Sequence, residues 1–292
     1  MSNKPNYPIY IPTKGRVDHC LTADCLVEDG VPFKLVVEPQ EEDAYKGKYG
    51  NEYILVLPFR DRGSVIPARN WIKDHATEAG HLRHWQLDDN IYKFYRFWKD
   101  KRVRCDADIA LRTAEDFTDR YENIAISGLN YSMFMAASKP PFNLNCHVYS
   151  CTLMLNAIPN RFRGIYNEDT DMCLQVLADG WCTVLINAFT ADKEVSMQAR
   201  GGNTKELYHG DGRTKMARAL ERRWKGVVTV GKRYSRAQHV IRDGWKRFDT
   251  PLKRKEGLVI NKEPNEYGMR LEQVASKIKS ARIQAIKDEY ND

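Results

Sequence analysis

Apolar residues in the first two thirds of the chain gather into short runs separated by amphipathic stretches. Pro8-Ile9-Tyr10-Ile11-Pro12, Phe33-Lys34-Leu35-Val36-Val37 and Tyr53-Ile54-Leu55-Val56-Leu57-Pro58 are rich in strand formers and end in polar or turn residues. After Gly63, Val65, Ile66, Trp71, Ile72 and Ala76 predict a helix reaching about Gly80. His84-Trp85-Gln86-Leu87 reads as a strand that runs straight into Asp88-Asp89-Asn90. A helix is expected over residues 108–121, and strands over 124–128, 151–156 and 183–186. Another helix should begin near Glu168 and stop at Gly180, a residue suited to a C-terminal cap. Residues 198–212 hold four glycines and read as a loop. From about residue 211 onward helices are expected, the last over 266–289 with Leu271, Val274, Ile278 and Ile286 near one stripe. Short apolar strands with helices between them indicate an α/β fold with a mostly parallel central sheet.

At 292 residues and 33.8 kDa the chain suits one large α/β domain, or a domain with a substantial appendage. Hydrophobic residues at 42% and charged residues at 29% exclude fibrous and disordered classes. No apolar run approaches the roughly 18 residues of a membrane span. The first residues, Met1-Ser2-Asn3-Lys4-Pro5-Asn6, lack the apolar core of a signal peptide, so a cytoplasmic protein without membrane association is expected. The seven cysteines follow no framework or zinc spacing and read as reduced, structural residues.

Charge changes the picture more than composition does. The net charge is +7, yet residues 200–292 hold 23 Lys and Arg against 12 Asp and Glu, leaving the front of the chain acidic. A division of labour follows: chemistry in front, contact with a polyanion behind. Basic residues at Arg213, Lys215, Arg222, Arg223, Lys232, Arg233 and Arg236, with aromatic residues among them, suit phosphate backbones and exposed bases; a solvated helical face fits them equally.

Candidate chemistry sits in three acidic groups and one basic turn. Asp88-Asp89-Asn90 follows a strand, where open α/β sheets bind ligands, and adjacent acids there suit a hard divalent cation on a diphosphate. A solvated turn would use the same residues. Glu168-Asp169-Thr170-Asp171 opens a helix, and three acids in four residues exceed what the helix dipole asks for. One of them is a reasonable general base. Glu38 ends the second strand, placed to meet a base or ribose. Lys14-Gly15-Arg16 follows the first strand, where backbone and cations can approach phosphate. The sequence has no Walker motif, no dinucleotide-binding glycine fingerprint and no nucleophile elbow.

Taken in order, these residues resemble a known family. Tyr10-Ile11-Pro12-Thr13-Lys14-Gly15-Arg16 looks like the first strand and loop of GT-A nucleotide-sugar glycosyltransferases. Gly63 with Ala68-Arg69-Asn70 resembles their donor-contacting helix, Leu87-Asp88-Asp89-Asn90 their metal-binding region, and Glu168-Asp169 their acceptor-side acid pair. The set covers roughly residues 7–190 and is most similar to the TET-associated glycosyltransferases, largely of bacteriophages, thought to glycosylate hydroxymethylated pyrimidines in DNA.

The resemblance implies a GT-A, Rossmann-like nucleotide-sugar-binding domain over residues 1–200, and the charge and helical pattern behind it give a basic, mainly helical region over 201–292, expected to bind DNA. By the same resemblance Asp89, with Asp88 and a late histidine (His209 the candidate), would hold Mn²⁺ or Mg²⁺ on a UDP-sugar. Pro12, Thr13, Arg16 and Glu38 would line the uridine pocket, with Lys14, Arg69 and Asn70 also on the donor and Asp88 reaching it. Asp169 would be the base of an inverting transfer and Glu168 would position sugar or acceptor. The implied partner is double-stranded DNA carrying 5-hydroxymethylcytosine or a related base. The chain would act as a monomer or small homo-oligomer, in an infected bacterial cytoplasm if phage-encoded. A GT-A enzyme with a glycan or protein acceptor, a nucleotidyltransferase, and a non-catalytic nucleic-acid-binding protein are the competing readings.

Overall fold

A computed structural model of the chain describes residues 4–60, 63–98, 101–135, 139–194, 212–233, 236–259 and 263–264. The chain divides into a compact unit, Met1–Lys255, and a second unit, Glu256–Asp292, of which only residues 256–259, with a turn at 256–257, and 263–264 are described. The expected helix over 266–289 and all of the expected loop over 198–212 except Gly212, which begins a helix, lie outside the described residues.

Strands β1 (Ile9–Pro12), β2 (Lys34–Val37), β3 (Ile54–Val56) and β4 (Arg83–Leu87) run parallel. The hairpin of β5 (Ile91–Trp98) with β6 (Lys101–Cys105) follows, then β7 (Ile124–Tyr131), β8 (Phe142–Leu144), β9 (Cys151–Leu155) and β10 (Cys182–Lys193). Together they form one ten-stranded sheet in the order β3-β2-β1-β4-β9-β7-β10-β5-β6, with β8 paired to β10. β7 and β10 are parallel to each other. β9 lies antiparallel between β4 and β7, which leaves β4 and β7 pointing the same way. The six strands β1–β4, β7 and β10 therefore end along one edge, and Ser150, just before β9, begins there. In open α/β sheets that edge is where ligands bind.

Helices α1 (Leu21–Glu28), α2 (Glu42–Tyr49), α3 (Ile66–Glu78), α4 (Ala107–Thr118) and α5 (Glu168–Ala178) bury the sheet's faces. Ala107, Ala110, Leu111, Ala114 and Thr118 of α4 are buried at the three- and four-residue spacing of one helical stripe. α5 ends at Gly180, whose φ of 84° few other residues adopt. Ile126, Met154, Ile158, Phe162, Met172 and Val176 make one core beneath α5, and Tyr10, Val36, Leu57, Ala68 and Ile72 another beneath α3. All seven cysteines are free thiols.

The sequence pattern placed most of these elements but not α1, α2, β8 or the β5–β6 hairpin, which pairs antiparallel to β10 through β5. The described part of the C-terminal region holds strand as well as helix. α6 (Gly212–Arg223) is helical, but it leads into an antiparallel hairpin of β11 (Val228–Arg233) and β12 (Arg236–Ile241). Gly226 at φ 77° ends the helix, and Val228, Val230, Val240 and Ile241 favour extended backbone. Leu220, Val228 and Ile241 then close a small core on Leu174 of α5. Beyond it, Asn123 and Asn145 donate to the carbonyls of Pro251 and Thr250, sewing the segment to the body.

Candidate functional site

Along the strand-end edge lies one cleft of about 530 Å³. It is lined by Pro12, Thr13, Lys14, Arg16, Glu38, Arg69, Asp88, Asp89, Glu168 and Asp169, residues far apart in the sequence.

The loop after β1 forms one wall. Gly15, at φ 64°, makes the turn, and its amide donates to Glu41 at 2.6 Å. The Thr13 hydroxyl lies 3.0 Å from the Tyr45 hydroxyl and donates to Asp89 Oδ2 at 2.8 Å. Tyr45, wholly buried on α2, also accepts the Arg16 amide at 3.1 Å. Lys14 Nζ stands 2.9 Å from the buried Glu38 carboxylate.

Asp88 and Asp89 follow β4 at the centre. Asp88 Oδ1 accepts from Arg69 at 3.0 Å, and Oδ2 from Ser150 at 2.6 Å and Lys193 at 3.0 Å. Asp89 Oδ1 accepts from Arg16, and Oδ2 from Thr13. Burial pushes Asp88 up, but Lys193, Arg69 and Ser150 outweigh it and hold its carboxyl below the ordinary value. At Asp89 burial wins over Arg16 and Thr13, and the carboxyl is raised.

This donor set does not fit a divalent cation. All four oxygens of the two carboxylates already accept from protein donors, three of those donors cationic. Asn90 Oδ1 lacks a protein donor, but a single neutral oxygen makes no site. No group of three His, Cys, Asp or Glu residues able to hold a metal occurs among the described residues. His209, the expected third ligand, lies outside them.

Glu168 and Asp169 begin α5 on the far wall, entered through Asn167 at φ 53°. Asp169 Oδ1 accepts the Thr170 amide at 2.7 Å, and Oδ2 stands 3.1 Å from His147 Nε2. Burial raises Asp169, but His147, the Thr170 amide and Arg69 outweigh it and hold the carboxyl below the carboxylate range. Burial and then the neighbouring Asp169 push Glu168 the other way, up to about 7, against Arg69 at 3.5 Å. Asp171, the third acid, is wholly buried and structural: it accepts from Arg163 at 2.8 Å, Trp224 at 2.7 Å and Gln175 at 2.9 Å. It ties α5 to the end of α6.

Sequence reasoning missed Tyr45, His147, Ser150 and Lys193, together with the lining aromatics Tyr131, Phe134, Tyr149 and Tyr166. None carries a local motif; topology alone gathers them. Asn70 does not line the cleft. Its side chain exchanges two hydrogen bonds with the Phe162 backbone, at 2.8 and 3.0 Å, holding the strap before α5.

Of the basic candidates, Lys215 and Arg222 are exposed on α6, Arg213 is half-buried there, and Lys232 is exposed on the hairpin. Arg223 stands 3.8 Å from Asp171. The side chains of Arg233 and Arg236 lie outside the described residues. Met216 of α6 lines the cleft, and Asn167 donates to its carbonyl at 3.0 Å, so the basic helix borders the wall that carries Glu168 and Asp169.

The sequence profile of the TET-associated glycosyltransferases matches residues 7–202, which span the whole cleft up to Lys193. No curated protein matches the chain. Among solved structures it is similar to one titled mannose-1-phosphate geranyltransferase from Thermus thermophilus, at 13% identity and a TM-score of 0.31. That likeness covers 77% of this chain, and the chain spans 65% of that protein. No helix among the described residues is long and apolar enough to cross a membrane.

Proposed function

As the chain belongs to the TET-associated glycosyltransferase family, we propose that it moves a sugar from a UDP-sugar to the hydroxyl of a hydroxymethylated pyrimidine, 5-hydroxymethylcytosine foremost, in double-stranded DNA. The observation that carries this reading is the cleft itself. Its donor-side loop, central acid-and-cation group and acceptor-side acid pair face one cavity in the order the family resemblance implies.

The chemistry asks for a neutralised leaving group and a base for the incoming hydroxyl. Asp169 supplies the base, since a carboxyl held below the usual range is ionised at neutral pH. The acceptor oxygen attacks the anomeric carbon, that carbon's bond to the diphosphate oxygen breaks, and the electron pair leaves with UDP. The acceptor proton passes to Asp169. With base and leaving group on opposite walls, the anomeric centre inverts. Glu168, its carboxyl raised by burial and by the neighbouring Asp169, donates to or accepts from a sugar hydroxyl. Pro12, Thr13, Lys14, Arg16 and Glu38 receive the nucleoside. The basic face of α6, beside the acceptor wall, takes the DNA backbone.

Nucleoside mass spectrometry tests this. The full chain is incubated with duplex DNA carrying 5-hydroxymethylcytosine or 5-hydroxymethyluracil and a panel of UDP-sugars, with and without Mn²⁺. A hexose, N-acetylhexosamine or pentose gain on the modified nucleoside, absent with Asp169→Asn, supports the reading. Donor hydrolysis with no gain on either DNA moves the acceptor to another class.

A further inference from the structure

Lys193 is the cleft's least expected residue. It ends β10, a strand whose preceding residues Thr190 and Ala191 are fully buried. Between Asp192 and Lys193 the pairing with β5 slips, from Asp192 opposite Lys93 to Lys193 opposite Ile91. Such a bulge re-aims one side chain out of strict alternation. Lys193 is thereby turned into the cleft, 13% exposed, with its Nζ 3.0 Å from Asp88, 2.9 Å from Ser150 Oγ and 5.3 Å from the centre of the Tyr131 ring.

Arg16 and Arg69 reach the same acid pair from the β1 loop and α3, with side chains 10% and 9% exposed. Three cations thus converge on two carboxylates at this point of the cleft. Glu168, 3.5 Å from Arg69, and Asp169 stand on the other side of that guanidinium. Lys193 and the two guanidiniums all line the cleft, so they are cationic groups that an anion entering it meets. The donor's diphosphate is the anion that arrives here in the reaction proposed above. A divalent cation at the same acids would have to displace Arg16 or Lys193 and then sit among like charges.

We propose that Lys193, with Arg16 and Arg69 beside it, is the counter-charge for the donor diphosphate, and that sugar transfer by this chain needs no divalent metal. Asp88 and Asp89 then act as holders of cations. The inference rests on the glycosyl-transfer reading of the cleft. As the anomeric carbon–oxygen bond breaks, the electron pair moves onto the diphosphate oxygen, and the ammonium and guanidinium groups stabilise that charge while the acceptor proton goes to Asp169. Atoms and charge balance with no further reactant.

Two measurements on the full chain decide it. The first is calorimetric binding of UDP in EDTA and in Mn²⁺, with the transfer assay run under both conditions. Affinity and rate should agree within about twofold between the two. Lys193→Met should weaken UDP by about tenfold or more, and Lys193→Arg should restore most of it. The double variant Asp88→Asn with Lys193→Met separates direct contact from mere neutralisation of Asp88. Continued loss supports the proposal, and recovery of wild-type affinity overturns it.

The second is electron paramagnetic resonance of added Mn²⁺. The wild type should show no stoichiometric bound ion. A bound Mn²⁺ lost in Asp89→Asn, or transfer abolished by EDTA and restored by Mn²⁺, overturns the proposal. UDP bound in EDTA with no transfer to any DNA leaves this site standing and counts against the acceptor proposed above.

Discussion

His147 Nε2 lies 3.1 Å from Asp169 Oδ2, and the imidazole stacks on Trp245 with ring centres 6.1 Å apart and planes 7° from parallel. A residue from between β8 and β9 is thus clamped against the proposed base by an indole from beyond β12. Thr170 Oγ1 joins the group, 3.3 Å from His147 and 3.4 Å from His239. Burial and the nearby His147 lower the pKa of His239, so the second histidine is biased to the neutral form.

This pairing predicts a pH signature. His147 helps hold Asp169 below the carboxylate range, so His147→Ala lets that carboxyl rise. The acidic limb of the kcat–pH profile should move to higher pH, with kcat near neutrality falling about tenfold. A variant that loses rate uniformly across pH would assign His147 a purely structural role.

Glu168 predicts a second pH effect, on donor affinity. Its carboxyl is raised to about 7, so it ionises as pH rises from about 6 to about 8 and adds negative charge to the cleft proposed to receive a diphosphate. UDP affinity should therefore fall across that range in the wild type. The fall should be much smaller in Glu168→Gln, measured by calorimetry at constant ionic strength.

Stability should also depend on pH, through Glu115. This wholly buried carboxyl accepts from the amides of Asn6 and Tyr7 and from the Trp85 indole, and burial raises it to about 7. A raised carboxyl favours the protonated fold. The contribution, on the order of 3 kcal/mol, is full below the unfolded value and is lost as pH climbs towards 7. Denaturant midpoints should decline from about pH 5 to about pH 8. A flat profile would contradict this assignment.

Gly128 carries a packing prediction. A Cβ built there stands 2.6 Å from Val148 Cγ1 and presses on the Cys151 carbonyl oxygen, where β7 and β9 approach. Gly128→Ala should cost about 3 kcal/mol or more in urea unfolding. A loss well under about 1 kcal/mol would mean that β9 shifts to accommodate the methyl group.

The basic helix is tested by salt. If α6 carries the DNA backbone, Lys215→Ala and Arg222→Ala should each lower the slope of log K against log salt by about 1, equally on modified and unmodified duplexes. Unchanged slopes would move the DNA to another surface.

Much of this site was legible in the sequence because strand-end loops and a helix start carry their chemistry in consecutive residues. Thr13-Lys14-Gly15-Arg16, Asp88-Asp89 and Glu168-Asp169 each announce themselves locally. Lys193, His147 and Ser150 do not, because their roles depend on a bulge, on an antiparallel strand inserted between parallel ones, and on a stacking partner far along the chain. The same limit explains the metal expectation. Adjacent aspartates look alike in sequence whether a cation or an arginine meets them, and only the fold brings Arg16, Arg69 and Lys193 to their oxygens. The hairpin β11–β12 was hidden by the density of lysine and arginine around its valines.

The central claim, sugar transfer to a hydroxymethylated base in DNA, is met most directly by competition. Wild-type protein and a radiolabelled UDP-sugar would be offered equal amounts of hydroxymethylcytosine duplex, the same duplex unmodified, and a mixed-glycan pool. The account predicts label in the modified duplex alone, and none there with Asp169→Asn. Label in the glycans, or equal label in both duplexes, would contradict it.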